Sequence, residues 1–236
     1  MHKRWAIWVD IEGFSKLWSV GDVGLNGLNQ LMLGIFRIGT LVYPEPGRRL
    51  FAHQFGDAFV IVSDFEEASL DRCASIAVAL MRFVTHSGCF ARAAIAEGEF
   101  ADIAGCHPRE IRDAQDNEVV RMGNGLMTLN YVIGTALVNA NKVDKANKCK
   151  GSLLTFETAL RDRFSAGIVS RSLPDNSALQ VIDWIHSTTD ELQLIFNKVP
   201  EANRSAEAIA ATVERYTEHT SPPSEWVSNT RQFNGL

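Results

Sequence analysis

Asp10 closes an apolar run, Trp5-Ala6-Ile7-Trp8-Val9, and is followed after one residue by Glu12 and Gly13. A carboxylate at the end of a core strand is costly to bury, so it caps the next helix, pairs with a base or holds a cation. Asp57 is a second such residue, in the dipeptide Gly56-Asp57 between the runs RRLFAHQF and AFVIVSD. An antiparallel sheet that sets this pair of runs beside the first strand would bring both carboxylates to one edge. Two such groups repel each other unless a hard cation intervenes, and magnesium takes one or two protein carboxylates together with substrate phosphate oxygens. A helix cap for Asp10 and a plain turn for Asp57 are the open alternatives.

The elements that must position these groups follow an alternating pattern. WAIWV suits a strand, and Leu25, Leu28, Met32, Ile35, Phe36 and Val42 recur mostly at helical spacing until YPEPG stops the helix. Gly56-Asp57 joins two strands in a hairpin. Leu70, Ala74, Ala77, Leu80, Met81 and Val84 mark a second helix face, and FARAAIAEG returns as a strand. Residues 101 to 125 are polar and rich in glycine and charge, as in a loop or protruding arm. LMTLNYVIG then reads as a strand, and a helix is expected from about Thr135 to Asn147. GSLLTFE and SALQVIDWI supply later strands, residues 189 to 219 read as helical, and Pro222-Pro223 precedes a tail.

The bulk properties limit the partners. The chain has 236 residues, 46% of them hydrophobic and 22% charged, enough for one large domain or one domain with an appendage. A net charge of −5 gives no general reason to bind nucleic acid or an anionic membrane. Cys73, Cys89, Cys106 and Cys149 are scattered without a CxxC pair, which argues against a zinc site or a disulfide scaffold. No stretch has the ~18 uninterrupted apolar residues of a membrane span, so a cytoplasmic location is expected. The expected partner is a small molecule.

Four segments together resemble one family. VDIEGFS resembles the first-strand motif of class III nucleotidyl cyclases, and QFGDAFVIV resembles their hairpin motif. ARAAIAEGE is similar to the following strand, which starts on an arginine, and VIGTALVNANK to the Gly…Val-Asn start of a later helix. The resemblance covers roughly residues 5 to 156 in the family's order. It implies a ferredoxin-like α/β (α+β) catalytic fold with an antiparallel sheet over residues 1–187, a helical C-terminal extension over 188–236, and a homodimer with shared active sites. It further implies two Mg2+ or Mn2+ ions held by Asp10, Asp57 and the backbone carbonyl of Ile11. Backbone N–H groups of Glu12, Gly13, Phe14 and Ser15 would receive triphosphate oxygens, with Arg92 as a further phosphate ligand. Asn139 matches the asparagine that orients the ribose. Four residues beyond it the family carries an arginine, where this chain has Val143 between Lys142 and Lys145. Either lysine can take that role; equally, NKVDKANKCK can be a solvated helix face.

The positions that read a purine base in the family hold His53 and Tyr131. An aromatic ring at 131 would fill the space of a second purine ring and leave a slot for a pyrimidine. The compact chain resembles the stand-alone pyrimidine cyclases of Pycsar antiphage defence, which implies UTP as substrate and a separate effector that reads the cyclic product. Cytidylate or purine cyclase activity, or a cyclase-like nucleotide-binding module without turnover, are the alternatives.

Overall fold

The computed structural model of the chain describes residues 3–18, 22–116, 119–130 and 132–236. The chain opens with β1 (Arg4–Ile11), the short α1 (Phe14–Trp18) and α2 (Val23–Arg37), followed by the hairpin β2 (Leu50–Phe55) and β3 (Ala58–Ser63). Helix α3 (Asp71–Val84) leads to β4 (Ala91–Gly98). An arm follows: β5 (Ala101–Asp102), α4 (Arg109–Asp113), β6 (Gln115–Asp116), β7 (Val119–Met122), β8 (Gly125–Thr128) and β9 (Val132–Ile133). Then come α5 (Thr135–Ala146), β10 (Leu154–Glu157), β11 (Ser170–Leu173), β12 (Asn176–Ile182), α6 (Asp190–Lys198), α7 (Ala206–Thr220) and α8 (Ser224–Asn234).

Seven strands make the main sheet, in the order β11-β12-β10-β4-β1-β3-β2. β1 is an interior strand and pairs antiparallel with both β3 and β4, while β4 and β10 run parallel. Alternation along β1 serves two cores: Trp5, Ile7, Val9 and Ile11 enter the larger one, and Ala6 with Trp8 faces the other side. Helices α2, α3 and α6 pack in the larger core. α5 lies on the opposite face through Ala136, Ala140 and Val143, whose spacing of four and three forms one helical stripe.

The mixed α/β fold with a mostly antiparallel sheet is as expected, and three local expectations change. The helical stretch 189 to 219 is two helices, because Pro200 ends the run at a 3-10 turn. Thr189 caps α6 by accepting from the Leu192 N–H at 2.9 Å, and Ser205 caps α7 by accepting from Ala208 at 3.2 Å. The segment after Pro222-Pro223 is no tail but α8, with Trp226 and Phe233, seven residues apart, buried on one face. The strand expected at LMTLNYVIG is divided into β8 and β9, with Leu129 and Asn130 outside either strand. Residues of α6, α7 and α8, among them Ile195, Ile209 and Trp226, share the larger core with β1. Among the described residues no helix is long and apolar enough to cross a membrane.

Candidate active site

Register alone brings the acidic residues together. Asp10 stands opposite Ala58 of β3, so the preceding turn residue, Asp57, is its neighbour, and opposite Arg92 on the β4 side. The Ile11 side chain is in the core, which leaves only its main chain to the site. Burial raises the Asp10 pKa to about 7, reinforced by Asp144, Glu12 and Asp57 and opposed by Arg92. Glu12 also rises to about 7, by burial, with Arg92 lowering it and Asp144 raising it. Asp10, Glu12 and Asp144 thus share one arginine, and Asp57 adds to the repulsion at Asp10, a deficit of positive charge that a divalent cation would relieve.

Among the described residues, no three or more His, Cys, Asp or Glu side chains are grouped to hold a metal ion. Two carboxylates and a main-chain carbonyl are the sparser donor set that suits magnesium when phosphate oxygens and water complete its shell, so Asp10, Asp57 and Ile11 fit that group.

Arg92 sits where the resemblance implied a phosphate ligand, but its donors are engaged within the chain. Its Nε donates to Asp144 Oδ1 at 2.7 Å, Nη1 to the Cys149 carbonyl at 2.8 Å, and Nη2 to the carbonyls of Asn147 at 2.5 Å and Asp144 at 3.1 Å. It ties the end of α5 to β4 beside Asp10. Glu12 differs from expectation likewise: its N–H donates to the Phe90 carbonyl at 2.8 Å, so it anchors the turn instead of offering an amide to phosphate. Gly13, Phe14 and Ser15 follow in the turn and the start of α1.

On α5, Asn139 Nδ2 donates to the Glu97 carbonyl at 2.9 Å, and Val143, four residues on, is 3% exposed against the sheet. Asn141, Lys142 and Lys145 instead line a cleft of ≈ 670 Å3 with Trp8, Phe55 and Leu137. Asn141 and Lys145 are four apart and so share a helix face. The start of this helix is set by Gly134: a side chain there would meet the Glu99 carbonyl oxygen at 2.1 Å, and its absence lets the Ala136 N–H reach that oxygen at 3.0 Å.

Trp8 and Phe55 stack at the cleft wall, centroids 6.2 Å apart and planes at 28°, and among the described residues the indole N–H of Trp8 has no hydrogen-bond partner. A second cavity of ≈ 470 Å3 adjoins, lined by His53, Gln54, Gly56 and Thr128, and Phe55 and Asn130 border both. The His53 ring packs 6.0 Å from that of Phe100. Tyr131 lies outside the described residues.

No family model and no curated protein matches this chain. Solved structures do. The guanylyl cyclase domain of the RhoGC fusion protein from the aquatic fungus Blastocladiella emersonii, in a monomeric crystal structure, is similar over 77% of this chain and 93% of that one, with a TM-score of 0.52 at 12% identity. A dimeric crystal structure of that domain gives a TM-score of 0.50 at 13% identity, with the same coverage. The fold is that of a class III cyclase domain. A bacterial light-regulated adenylyl cyclase is matched over 86% of this chain at 11% identity and a TM-score of 0.46, and this chain spans only 58% of that structure.

Within this cyclase-domain fold, three residues that the sequence did not single out line the cleft: Trp8, Asn130 and Asn141. Asn141 was within reach of inspection, because it stands four before Lys145 whereas Asn139 stands four before an apolar valine. Trp8 and Asn130 carried no comparable signal, since a tryptophan in a strand and an asparagine between strands are ordinary.

Proposed function

We propose that the chain is a nucleotidyl cyclase that converts a pyrimidine nucleoside triphosphate, UTP by preference, to the 3′,5′-cyclic monophosphate and pyrophosphate. Asp10 and Asp57, side by side at a strand end in a cyclase-type fold, carry this reading. A carboxylate whose pKa is raised by burial and by the acids beside it, Asp57 among them, has little use at a strand end unless a cation joins it. Bound there, Mg2+ or Mn2+ would make the ribose 3′-hydroxyl more acidic and neutralise the triphosphate. The 3′-oxygen attacks the α-phosphorus, its proton goes to solvent, and the bond to the pyrophosphate oxygen breaks. Main-chain N–H groups of Gly13 and Ser15 receive phosphate oxygens.

Asn141 takes the ribose-orienting role expected of Asn139, and Lys145, with Lys142 beside it, faces the charge that develops on phosphate. Lysine is a less directional ligand there than arginine. The base enters the slot walled by Trp8 and Phe55, with His53 and Asn130 to read its polar edge. The stacked pair narrows the slot, which favours one ring over two. Phe55, Ile133 and Val138 are 36%, 54% and 50% exposed around the cleft, an apolar rim that a second copy of the chain would cover to complete two shared sites. The cyclic product then acts as a second messenger, read by a separate effector in antiphage defence.

Incubation with all four nucleoside triphosphates and Mn2+, followed by product mass, tests the reading. Cyclic UMP should dominate and Trp8→Ala should relax the preference; an excess of cyclic AMP or cyclic GMP would overturn the pyrimidine assignment, and no pyrophosphate release would overturn the enzyme. With the carboxylates of one copy facing Asn141 of the other in each shared site, mixing Asp57→Asn with Asn141→Ala protein should restore one site per dimer. Unchanged phage yield in cells carrying the gene and its neighbours would count against the defence role.

A further inference from the structure

We propose that the C-terminal helices brace the turn after Asp10, with Tyr216 and Lys16 as positioning residues; the catalytic consequence rests on the cyclase reading above. The peptide at Glu12 is gripped from both sides. Its N–H donates to the Phe90 carbonyl at 2.8 Å, and its carbonyl accepts from the Tyr216 hydroxyl of α7 at 3.4 Å. The two gripping residues pack on each other: the Phe90 and Tyr216 rings meet edge to face at 5.2 Å, and Trp226 of α8 completes a trio at 5.4 and 4.9 Å. Gly13 follows at φ +69°, and a Cβ there would stand 3.4 Å from the Tyr216 hydroxyl, so the backbone passes in contact with the phenol.

Lys16 supplies the second tie. Its ammonium donates to the Thr220 carbonyl at 2.5 Å and to that of Ser221 at 3.4 Å. These carbonyls end α7, where the helix dipole is negative, so a cation is favoured. The lysine is exposed and the phenol could pack equally well as phenylalanine, so neither polar contact is needed to close the core. Both converge on residues that follow Asp10 and Ile11 without a break. Their effect is to fix the strand end and the following turn before a nucleotide arrives, which lowers the ordering that binding would otherwise require.

The full-length double variant Tyr216→Phe, Lys16→Met tests this. Amide hydrogen exchange of the segment 11–17, measured without nucleotide, should quicken about tenfold, and KM for the triphosphate should rise about three- to tenfold with kcat held, as when binding is lost uniformly. The thermal midpoint should stay within a few degrees, since core packing is kept. A folded variant with wild-type exchange across the turn, or faster exchange with an unchanged KM in active enzyme, overturns the proposal. In a chain found to make no cyclic nucleotide, quicker exchange would keep the brace and discard only the cyclase reading. If the double variant does not fold, Tyr216→Phe alone gives the same readouts.

Discussion

The two faces of the central sheet are built to different rules. On one, Trp5, Ile7, Val9 and Ile11 meet α2, α3 and the C-terminal helices in a continuous core. On the other, α5 approaches on alanines, with Ala6, Ala94 and Ala96 of the sheet opposite Ala136 and Ala140, and beside it the sheet is left open at Trp8 and Phe55. β1 supplies both faces by alternation and carries Asp10 one residue before its end at Ile11. Stability is concentrated on the closed face, which leaves the open one free to carry lysines, amides and neighbouring carboxylates that a core would exclude.

Breaking the closed face should give the largest effect. Phe156 is fully buried and packs edge to face on Phe164 at 4.8 Å, so Phe156→Ala should cost about 3–5 kcal/mol in chemical denaturation. Val138→Ser, at the rim of the cleft, should fall within about 0.5 kcal/mol. Equal losses would show that the cleft face also carries the fold. Next, Asp57→Asn keeps shape and loses charge, so turnover at limiting Mg2+ should drop on the order of 100-fold while the denaturation curve stays in place. Near-wild-type turnover by a folded variant would remove Asp57 from the metal set.

Two asparagines on one helix sharpen the comparison further. Asn141→Ala should lower kcat about 10- to 50-fold with little change in stability, because its amide lines the cleft. Asn139→Ala should do the reverse, losing about 1 kcal/mol of stability with the hydrogen bond to Glu97 and sparing turnover. The opposite pattern would restore Asn139 to the role first expected of it.

How far the sequence could be read follows the range of the interactions. β1, the Gly56-Asp57 hairpin and β4 are local patterns of alternation and turn chemistry, so the meeting of Asp10 with Asp57 was legible once an antiparallel order was assumed. The phase of α5 was half legible: Ala136, Ala140 and Val143 mark the buried stripe and so turn Asn141, not Asn139, toward the cleft. The engagement of Arg92 by Asp144 and three carbonyls, and the grip of Tyr216 on Glu12 across 204 residues of chain, depend on tertiary approach and leave no periodic trace. The arm was visible as polar and glycine-rich sequence, but its three-stranded sheet was not.

The smallest effect expected is a matter of sign. Asp10 and Glu12 titrate in the folded chain at about 7, above the ordinary unfolded values of roughly 4, because burial and neighbouring acids disfavour their charge. Between those values the native state binds more protons than the unfolded one, so the stability these groups contribute is fully present below about pH 4 and is lost as pH rises through about 7. Without metal, the thermal midpoint should therefore fall by a few degrees from about pH 5 to 8. Mg2+ at pH 8 should restore it, since a cation binds deprotonated Asp10 together with Asp57. Asp10→Asn should reduce the slope to the share that Glu12 contributes and abolish the response to Mg2+, whereas Phe156→Ala should lower the midpoint throughout and leave the pH slope unchanged. A wild-type midpoint indifferent to both pH and Mg2+ would mean that the open end of β1 holds neither the strained carboxylates nor the cation assigned to it.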